Sequence, residues 1–350
     1  VLIPSFKEDL IIVNTARQAL LQNYPSHLYE VIIIADHLKR ETIDSLLAIP
    51  VKVITVEFEV STKAKSLQVA LQSLSSQSFN IAVILDADNI MREGCLNMIN
   101  DAFQSGCQAV QCHRVSKNLV SPISFLEAIS EEININLFRR GPSVLGLSAA
   151  PMGSGMAIEF HLLKEIFNTK GLIDNPGEDR EIDIQLMKRN IRMEFIDAAL
   201  VYDEKAEKVS VFEKQRVRWL EAQFNHARRF LAADVRSSPK TAIYFHRLFQ
   251  TFLLPKLLYL AIFMVIAVLA FLQRFTETKW LSPSTGWWLA CLLLYALILF
   301  LSIPIGYYNA KMLRALAYIP VLMVSMFKAV FKMKRNRKEF LHTSKTIISK

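Results

Sequence analysis

Short apolar runs alternate with amphipathic segments along the first third of the chain. Residues 31–35, 51–56 and 81–85 are rich in β-branched side chains and almost free of polar positions, which is typical of strands buried on both faces. Between these runs, hydrophobic residues recur at helical spacing within 10–21 and 67–74. Strands that alternate with helices in this way predict right-handed βαβ units, and hence an α/β fold with a Rossmann-like, mostly parallel sheet.

The middle of the chain continues this pattern less regularly. Shorter apolar runs predict further strands at 109–112, 156–160 and 192–196. Segments with helical periodicity predict helices over 121–138, 161–168, 178–189 and 210–233. We find neither an internal repeat nor a low-complexity segment in the sequence, so we expect residues 1–235 to form one domain.

Hydrophobic segments of membrane-spanning length dominate the last third. Residues 257–272 carry no charge, and the apolar stretch reaches back across Lys256. A second stretch, 287–306, is also uncharged. Because roughly 20 apolar residues cross a bilayer as a helix, the pattern predicts transmembrane helices over 251–272 and 287–308.

The remaining C-terminal segments are interpreted from their charged residues. Residues 313–331 are apolar but contain two basic residues and a proline, so they predict an interfacial or re-entrant helix rather than a third span. Most of the net charge of +9 lies in 328–350. We therefore expect a basic tail, 332–350, on the cytoplasmic side of a cell inner or plasma membrane, in contact with anionic lipid. The rest of the chain is nearly neutral, which argues against a nucleic-acid partner, and 236–250 is interpreted as an interfacial connector.

Carboxylates follow three of the predicted strands. Pro4 ends the first strand and Glu8 follows it, Asp36 follows the second, and Asp86 and Asp88 follow the strand at the end of this series. The carboxyl ends of parallel strands share one edge, where ligands bind. Two carboxylates two residues apart can hold a hard divalent cation that bridges substrate phosphates. An Asp pair at a strand end is also typical of a turn or a helix cap.

Basic and glycine residues add candidate anion and backbone contacts. Lys65 stands at the start of a predicted helix, where a lysine opposes the helix dipole unless an anion is bound, and Lys63 is an equal candidate. Gly153, Ser154 and Gly155 precede a predicted strand, so they do not form a dinucleotide fingerprint. They indicate either a tight turn or a close approach of the backbone to a ligand.

Two further motifs lie on predicted helices. Glu178 and Asp179 begin one helix, where acidic residues often serve only as caps, yet a fixed carboxylate there could take a proton from an attacking hydroxyl. Gln215, Arg218 and Trp219 share one face of another helix. Arginine can neutralise a departing diphosphate, and tryptophan offers a flat surface to a sugar or lipid. The alternative is an amphipathic helix that rests on a membrane surface.

The order of these motifs resembles that of the membrane-bound family 2 glycosyltransferases, a branch that includes cellulose, chitin and hyaluronan synthases and ceramide glucosyltransferase. The order is PxxxE, Asp, Lys, DxD, GSG, ED and QxxRW, followed by hydrophobic helices, and the motifs span residues 1–235. The resemblance implies a cytoplasmic GT-A domain anchored in the lipid bilayer. It also implies inverting transfer from a UDP-sugar donor to a glycan or lipid acceptor, assisted by Mg²⁺ or Mn²⁺.

The resemblance further implies roles for the donor-side residues. Glu8 and Asp36 would hold the uridine, and Lys65 would lie near the diphosphate. Asp86 would face the nucleotide, and Asp88 would bind the metal ion, with Asp86 as a second ligand. The other implied donor-binding positions are Pro4, Gln215 and Trp219.

Catalytic and acceptor roles follow in the same way. Asp179 would be the general base, with Glu178 beside it, and Arg218 would stabilise the charge on the leaving UDP. The glycine-rich loop would approach the acceptor with residues Gly153, Ser154 and Gly155.

Three functions remain open at this point. The first is a polysaccharide synthase, acting as an oligomer or with an export partner. The second is a single-addition lipid glycosyltransferase, which two clear spans favour because they are few for a secretion channel. The third is a non-catalytic membrane scaffold with a nucleotide-sugar-binding domain, against which the intact Asp88, Asp179 and Arg218 argue.

Overall fold

The computed structural model describes residues 1–75, 78–169, 172, 177–276 and 280–333. Within these residues, the central element is a sheet of eight strands in the spatial order β3-β2-β1-β4-β7-β6-β8-β5. The strands are β1 (Leu2–Phe6), β2 (Ile32–Asp36), β3 (Lys52–Val56), β4 (Ile81–Ile84), β5 (Ile90–Met91), β6 (Ala109–Ser116), β7 (Met156–Glu159) and β8 (Met193–Asp203).

Helices cover both faces of this sheet. In chain order they are α1 (Ile12–Ala19), α2 (Arg40–Leu47), α3 (Lys63–Ser73), α4 (Cys95–Gln104), α5 (Pro122–Ile135), α6 (Gly141–Val144), α7 (Phe160–Phe167), α8 (Glu178–Lys188) and α9 (Val209–Phe230). Alternate residues of β2 enter different cores, as the two-residue period of a strand requires. Ile32 and Ile34 belong to the core beneath α3, α7 and α8, whereas Ile33 belongs to the core beneath α1, α2 and α4.

The strand pairings confirm an α/β fold with a mostly parallel sheet. β1 pairs in parallel with β2 and β4, and β2 pairs in parallel with β3. β7 runs antiparallel to both of its neighbours, β4 and β6, while β6 and β8 are parallel. The carboxyl ends of β1, β2, β3 and β4 therefore meet at one edge of the sheet.

The largest departure from the predicted elements is the length of β8. The apolar run at 192–196 predicts five residues, but β8 extends from Met193 to Asp203. A register shift between Cys112 and His113 of β6 separates the two parts of its pairing with β8. The polar Asp197 interrupts the apolar positions between the two parts, and for this reason the hydrophobic pattern alone does not join them into one strand.

The C-terminal helices are α10 (Ala233–Arg236), α11 (Ala242–Thr251), α12 (Lys256–Leu272), α13 (Thr285–Leu301), α14 (Ala310–Leu316) and α15 (Ile319–Phe331). The predicted span 251–272 begins later than expected, because Thr251 ends α11 and a short turn precedes Pro255, the N-cap of α12. The predicted span 287–308 is likewise shorter, since α13 ends at Leu301. Beyond Met333, the predicted basic tail lies outside the described residues.

One helix in the described part of the chain, Lys256–Phe275, is long and apolar enough to cross a membrane. The pair α14 and α15 passes the same test only as a unit bent by 46°. α13 is apolar but shorter. By length and composition, the described helices therefore provide one candidate membrane span, or two if the bent pair is one span.

The C-terminal helices pack against α5 and α9. Val217 and Leu220 on α9 form a small core with Met326 and Ala329 on α15. α14 packs against the start of α5 in a separate hydrophobic cluster. The orientation of α9 therefore depends on the last helix that the structure describes.

Candidate active site

Asp36 closes β2 at the carboxyl edge of the sheet and is 1% exposed. The Nδ1 atom of His37 lies 2.6 Å from Asp36 Oδ1. The other oxygen, Oδ2, is buried and has no hydrogen-bond partner among the described residues. Because an unsatisfied buried acceptor costs free energy, this oxygen is a place where a donor group of a ligand would bind.

Further unsatisfied polar atoms lie near the same edge. Ser5 Oγ is near the end of β1, Ser61 Oγ follows β3, and Asn89 Nδ2 follows β4. Each is buried and lacks a hydrogen-bond partner within the part of the chain that the structure describes. Four adjacent parallel strands thus carry an unsatisfied polar atom at or near their carboxyl ends, which is the position where open α/β sheets bind ligands.

The side chain of Lys63 contacts three groups that lie far apart in the sequence. Its Nζ lies 2.5 Å from Asp86 Oδ1, 2.6 Å from the carbonyl oxygen of Gly153 and 3.4 Å from Glu178 Oε1. Burial lowers the pKa of Lys63, but the attraction of Asp86 and Glu178 outweighs it and raises the pKa overall. Lys63 therefore stays protonated and holds the DxD, GSG and ED motifs together.

Lys65, which the sequence analysis places near the diphosphate, is directed elsewhere. Its Nζ donates to the carbonyl of Val60 at 2.9 Å. Thr62 caps α3 by accepting a hydrogen bond from the Lys65 N–H. Lys63 and Lys65 are two residues apart, about 200° around a helix, so only one of them can face the carboxylates. The structure brings Lys63 to that position.

The acidic pair Glu178 and Asp179 begins α8, as predicted. Burial raises the pKa of Glu178 to about 7, against the opposing attraction of Lys63. Asp179 Oδ1 accepts a hydrogen bond from the N–H of Arg180 at 2.8 Å. A Cβ atom on Gly153 would lie 3.6 Å from Asp179 Oδ2, so the second oxygen of Asp179 faces the glycine-rich loop.

Both glycines of this loop adopt left-handed backbone conformations, with φ of +79° at Gly153 and +66° at Gly155. A Cβ on Gly155 would approach a methyl group of Val201 to 3.1 Å. Ser154 Oγ accepts a hydrogen bond from the N–H of Asp86 at 2.9 Å. The loop is therefore a tight turn, one of the two alternatives, and it also lies directly against Asp86 and Asp179.

The QxxRW motif lies on α9, and its Arg and Trp side chains have different surroundings. Burial lowers the pKa of Arg218, and the carboxylates of Asp86 and Glu178 oppose this shift by attraction. Arg218 is therefore close enough to interact with the carboxylate cluster. Trp219 is 42% exposed and stacks on the guanidinium of Arg216, whose carbon lies 4.0 Å from the ring centroid.

The remaining predicted residues lie around this cluster. Pro4 pairs with Ile34 inside the sheet. The carbonyl of Glu8 accepts hydrogen bonds from the first turn of α1. Asp88 is buried, and Lys117 donates to its carbonyl oxygen at 2.7 Å. Gln215 is half-buried on α9, and its side chain forms no hydrogen bond with the residues described here.

The described side chains alone do not supply enough ligands for a divalent cation. Among the described residues, no group of three or more His, Cys, Asp or Glu side chains could hold a metal ion. Asp86 and Asp88 supply hard oxygen ligands from one strand end, which suits Mg²⁺ or Mn²⁺. A cation held by these two carboxylates would need further ligands from outside the described side chains.

Two buried hydrogen-bonding residues were not identified from the sequence. The side-chain amide of Gln111 donates to the carbonyls of Ser154 and Gly155 at 2.9 and 3.1 Å. Thr15 Oγ1 donates to the carbonyl of Ala87 at 2.6 Å and so holds the turn between the two aspartates. Gln111 interrupts the otherwise apolar run at 109–112, and that interruption is the signal that could have identified it.

Comparison with known proteins places this arrangement in a family. The family model "Glycosyltransferase like family 2" matches residues 1–222, which include every site residue named above. No curated protein sequence is significantly similar to the chain.

Two solved structures are similar to the chain at low sequence identity. One is the mannosyltransferase PcManGT from Pyrobaculum calidifontis in complex with GDP-Man and Mn²⁺, with 14% identity, a TM-score of 0.57, and coverage of 95% of this chain and 85% of that chain. A second, TarS 1–349 from S. aureus, has 11% identity, a TM-score of 0.48 and coverage of 96% and 92%.

The first of these similarities supports the predicted GT-A fold, since its TM-score is above the level expected for unrelated folds. The family match covers more than half of the chain and runs from β1 to the QxxRW motif on α9. The chain belongs to glycosyltransferase family 2 and is a glycosyltransferase with a GT-A-like α/β domain.

Proposed function

We propose that the protein is an inverting, metal-assisted transferase that moves a sugar from a UDP-sugar to a hydroxyl of a glycan or lipid acceptor at a membrane surface. The observation that carries this proposal is the cluster in which Lys63 joins Asp86, Gly153 and Glu178, with Asp179 and Arg218 beside it. This cluster brings the two negatively charged motifs and the loop into contact at one place.

The donor nucleotide would bind along the carboxyl edge of the sheet. The unsatisfied Oδ2 of Asp36 suits the imide N–H of uracil, and His37 fixes the other carboxylate oxygen. Pro4 lies within the neighbouring strand β1, and Glu8 follows its end. The hydroxyls of Ser5 and Ser61 are further unsatisfied groups that a ribose could reach.

The diphosphate would lie over Asp86 and Asp88. A divalent cation bound there would neutralise the charge that develops on the leaving UDP. Lys63 and Arg218 would add two positive charges from the protein side, where low dielectric strengthens their effect. Trp219 is exposed on the helix that carries Arg218, and it would offer a flat surface to the acceptor.

Asp179 would act as the general base. Its Oδ2 faces the loop at Gly153, whereas Glu178 is engaged by Lys63. The acceptor hydroxyl would enter between Asp179 and the loop, lose its proton to Asp179 and attack the anomeric carbon from the face opposite the UDP. One displacement of this kind inverts the anomeric configuration.

Membrane association rests on the candidate span at Lys256–Phe275 and on the bent pair α14 and α15. With α13 too short for the same test, the described helices supply few crossings for a secretion channel. This favours single addition to a lipid over processive synthesis by one chain, unless an oligomer or an export partner completes a channel.

The test is UDP release by membranes that contain the full chain, with several UDP-sugars and with Mg²⁺, Mn²⁺ or EDTA. Asp179→Asn should lower the rate by about 10²–10⁴-fold, the usual contribution of a positioned general base. The matched control is Asp101→Asn, an exposed acid on α4, which should retain activity. Equal rates for the two variants would refute the assignment of Asp179. No release with any donor would leave a missing acceptor or partner, or the non-catalytic scaffold, and metal-dependent UDP binding without turnover would then favour the missing acceptor or partner.

Analysis of the product then separates the two catalytic alternatives. A single lipid-linked sugar supports single addition. A ladder or a high polymer supports a polysaccharide synthase.

A further inference from the structure

Three arginines, of which Arg247 is buried and the other two are half-buried, hold the segment that precedes the glycine-rich loop. The four successive carbonyls of residues 149–152 each accept a hydrogen bond from a guanidinium. Arg247 donates to the first at 2.5 Å, Arg139 to the second and third at 3.0 and 3.1 Å, and Arg114 to the fourth at 3.2 Å. We call these three residues the arginine clamp.

The clamp fixes the loop from outside. Loop carbonyls are usually satisfied by water or by nearby backbone, so a loop whose carbonyls bind side chains takes the position that those side chains impose. The clamp residues come from different parts of the fold, namely β6, the π-helical turn after α5, and α11. The residue that follows the clamped segment is Gly153, which faces Asp179.

Arg247 also binds the helix on the other side of the acceptor position. It is 2% exposed, and its guanidinium lies 2.9 Å from Asp183 Oδ1. Asp183 follows Asp179 by four residues on α8, so the two carboxylates share one face of the helix. A single guanidinium therefore ties the loop at Gly153 to the helix that carries Asp179.

The helix that carries Arg247 has a second, apolar face. Phe245 and Phe249 on α11 are 56% and 65% exposed. The chain continues from α11 directly into α12, the candidate membrane span. The position of Arg247 is therefore set by how α11 lies against the catalytic domain.

Resting on the proposed function, we propose that Arg247 is a positioning residue for the transfer reaction. It fixes the distance between Asp179 and the loop at Gly153, and it makes that distance depend on how α11 packs against the catalytic domain. Arg247 acts through protein groups. It is 2% exposed, and its two terminal nitrogens contact Asp183, Ser148, Gln250 and the first clamped carbonyl, whereas its Nε is buried and has no hydrogen-bond partner among the described residues.

The experiment compares Arg247→Lys, Arg247→Ala and Asp183→Asn in the full-length chain. The matched control is Arg236→Lys, since Arg236 is exposed on α10 and its side chain forms no hydrogen bond or ion pair with the described residues. For each variant, kcat and KM for the UDP-sugar, the affinity for UDP, and amide hydrogen exchange in 149–155 are measured.

We expect Arg247→Ala to lower kcat by about 10- to 100-fold, as for a misplacement of the reacting groups by roughly 1 Å. UDP affinity and donor KM should stay within about twofold of the control, because the nucleotide edge is not part of the clamp. Exchange in 149–155 should rise. Arg247→Lys and Asp183→Asn should give smaller changes in the same direction, since each retains part of the hydrogen bonding.

Two results would overturn the inference. One is an Arg247→Ala variant with the kcat and the exchange of the Arg236→Lys control. The other is a loss of UDP affinity in proportion to kcat, which would mean that Arg247 supports the fold as a whole. Failure of the proposed function is distinguishable, because it would abolish UDP release in the unmodified chain while the exchange measurement still reports whether Arg247 holds the loop.

Discussion

Substitution of Gly153 by alanine separates backbone strain from the geometry of the general base. Gly153 has a φ of +79°, and a Cβ there would lie 3.6 Å from Asp179 Oδ2. Gly94 provides a matched control, because its φ is +82° and a Cβ there meets nothing within 4 Å. Both substitutions place an L-residue in the left-handed region, but only one of them adds a methyl group beside the base.

The expected magnitudes follow from this difference. Each alanine should lower the free energy of unfolding by roughly 1–2 kcal/mol, the cost of the left-handed conformation for a residue with a Cβ. A contact of 3.6 Å is an ordinary van der Waals distance, so Gly153→Ala should be no less stable than Gly94→Ala. The methyl group would occupy space that the acceptor hydroxyl needs in order to reach Asp179. Activity should therefore fall by at least about 10-fold in Gly153→Ala alone, within the 10²–10⁴-fold that a general base supplies.

Thermal unfolding and UDP release, measured on the same preparations, test this reasoning. The expected result is a similar decrease in melting temperature for both variants and a loss of kcat for Gly153→Ala only. The reasoning would be refuted if Gly153→Ala kept the kcat of Gly94→Ala. It would also be refuted if Gly94→Ala lost as much activity, since strain alone would then explain the effect.

Three further predictions concern charge. Lys63→Met should lower both activity and stability, the latter by about 1–3 kcal/mol, because its carboxylate partners lose their donor. Lys65→Met should change stability by less than about 0.5 kcal/mol. Unfolding and UDP-release assays compare the two variants, and equal effects would contradict the placement of Lys63. Asp36→Asn should weaken UDP binding by about 10-fold or more, since it replaces a charged acceptor; calorimetric titration measures this, and unchanged affinity would exclude Asp36 from the nucleotide site. Burial, with nearby arginines, lowers the pKa of His226 from 6.5 to about 3. Between these pH values the unfolded chain binds a proton that the folded chain does not, so stability is lost as the pH falls from 6.5 towards 3. In melting curves, His226→Gln should flatten this pH dependence, whereas substitution of the exposed His161 by Gln should leave it intact.

The sequence predicts the parallel half of the fold well because its signals are local. The run at 81–85 predicts a buried strand, and β4 covers Ile81–Ile84. Helix α8 begins at Glu178, as predicted. In both cases the hydrophobic period and the flanking polar residues lie within a few positions of one another, so no distant contact is needed to interpret them.

The lysine and arginine contacts of the site depend on distant parts of the chain. Lys63 and Lys65 have similar neighbours in sequence, and only the position of α3 against Asp86 and Glu178 distinguishes them. Arg247 binds a carbonyl about a hundred residues earlier. No periodicity marks such a residue, because an arginine on an amphipathic helix ordinarily faces solvent.

The packing of α9 on α15 has a consequence for the order in which the protein becomes active during synthesis. The carboxylates of the donor edge, from Asp36 to Asp88, leave the ribosome early, and the parallel strands that carry them pair locally. Arg218 lies on α9, whose Val217 and Leu220 find their partners on α15 only near the end of the described chain. A nascent chain can therefore form the nucleotide edge first, but it completes its catalytic constellation last. On the role proposed for Arg218, sugar transfer would begin only when the C-terminal helices are in place, and an unfinished chain would not consume the donor.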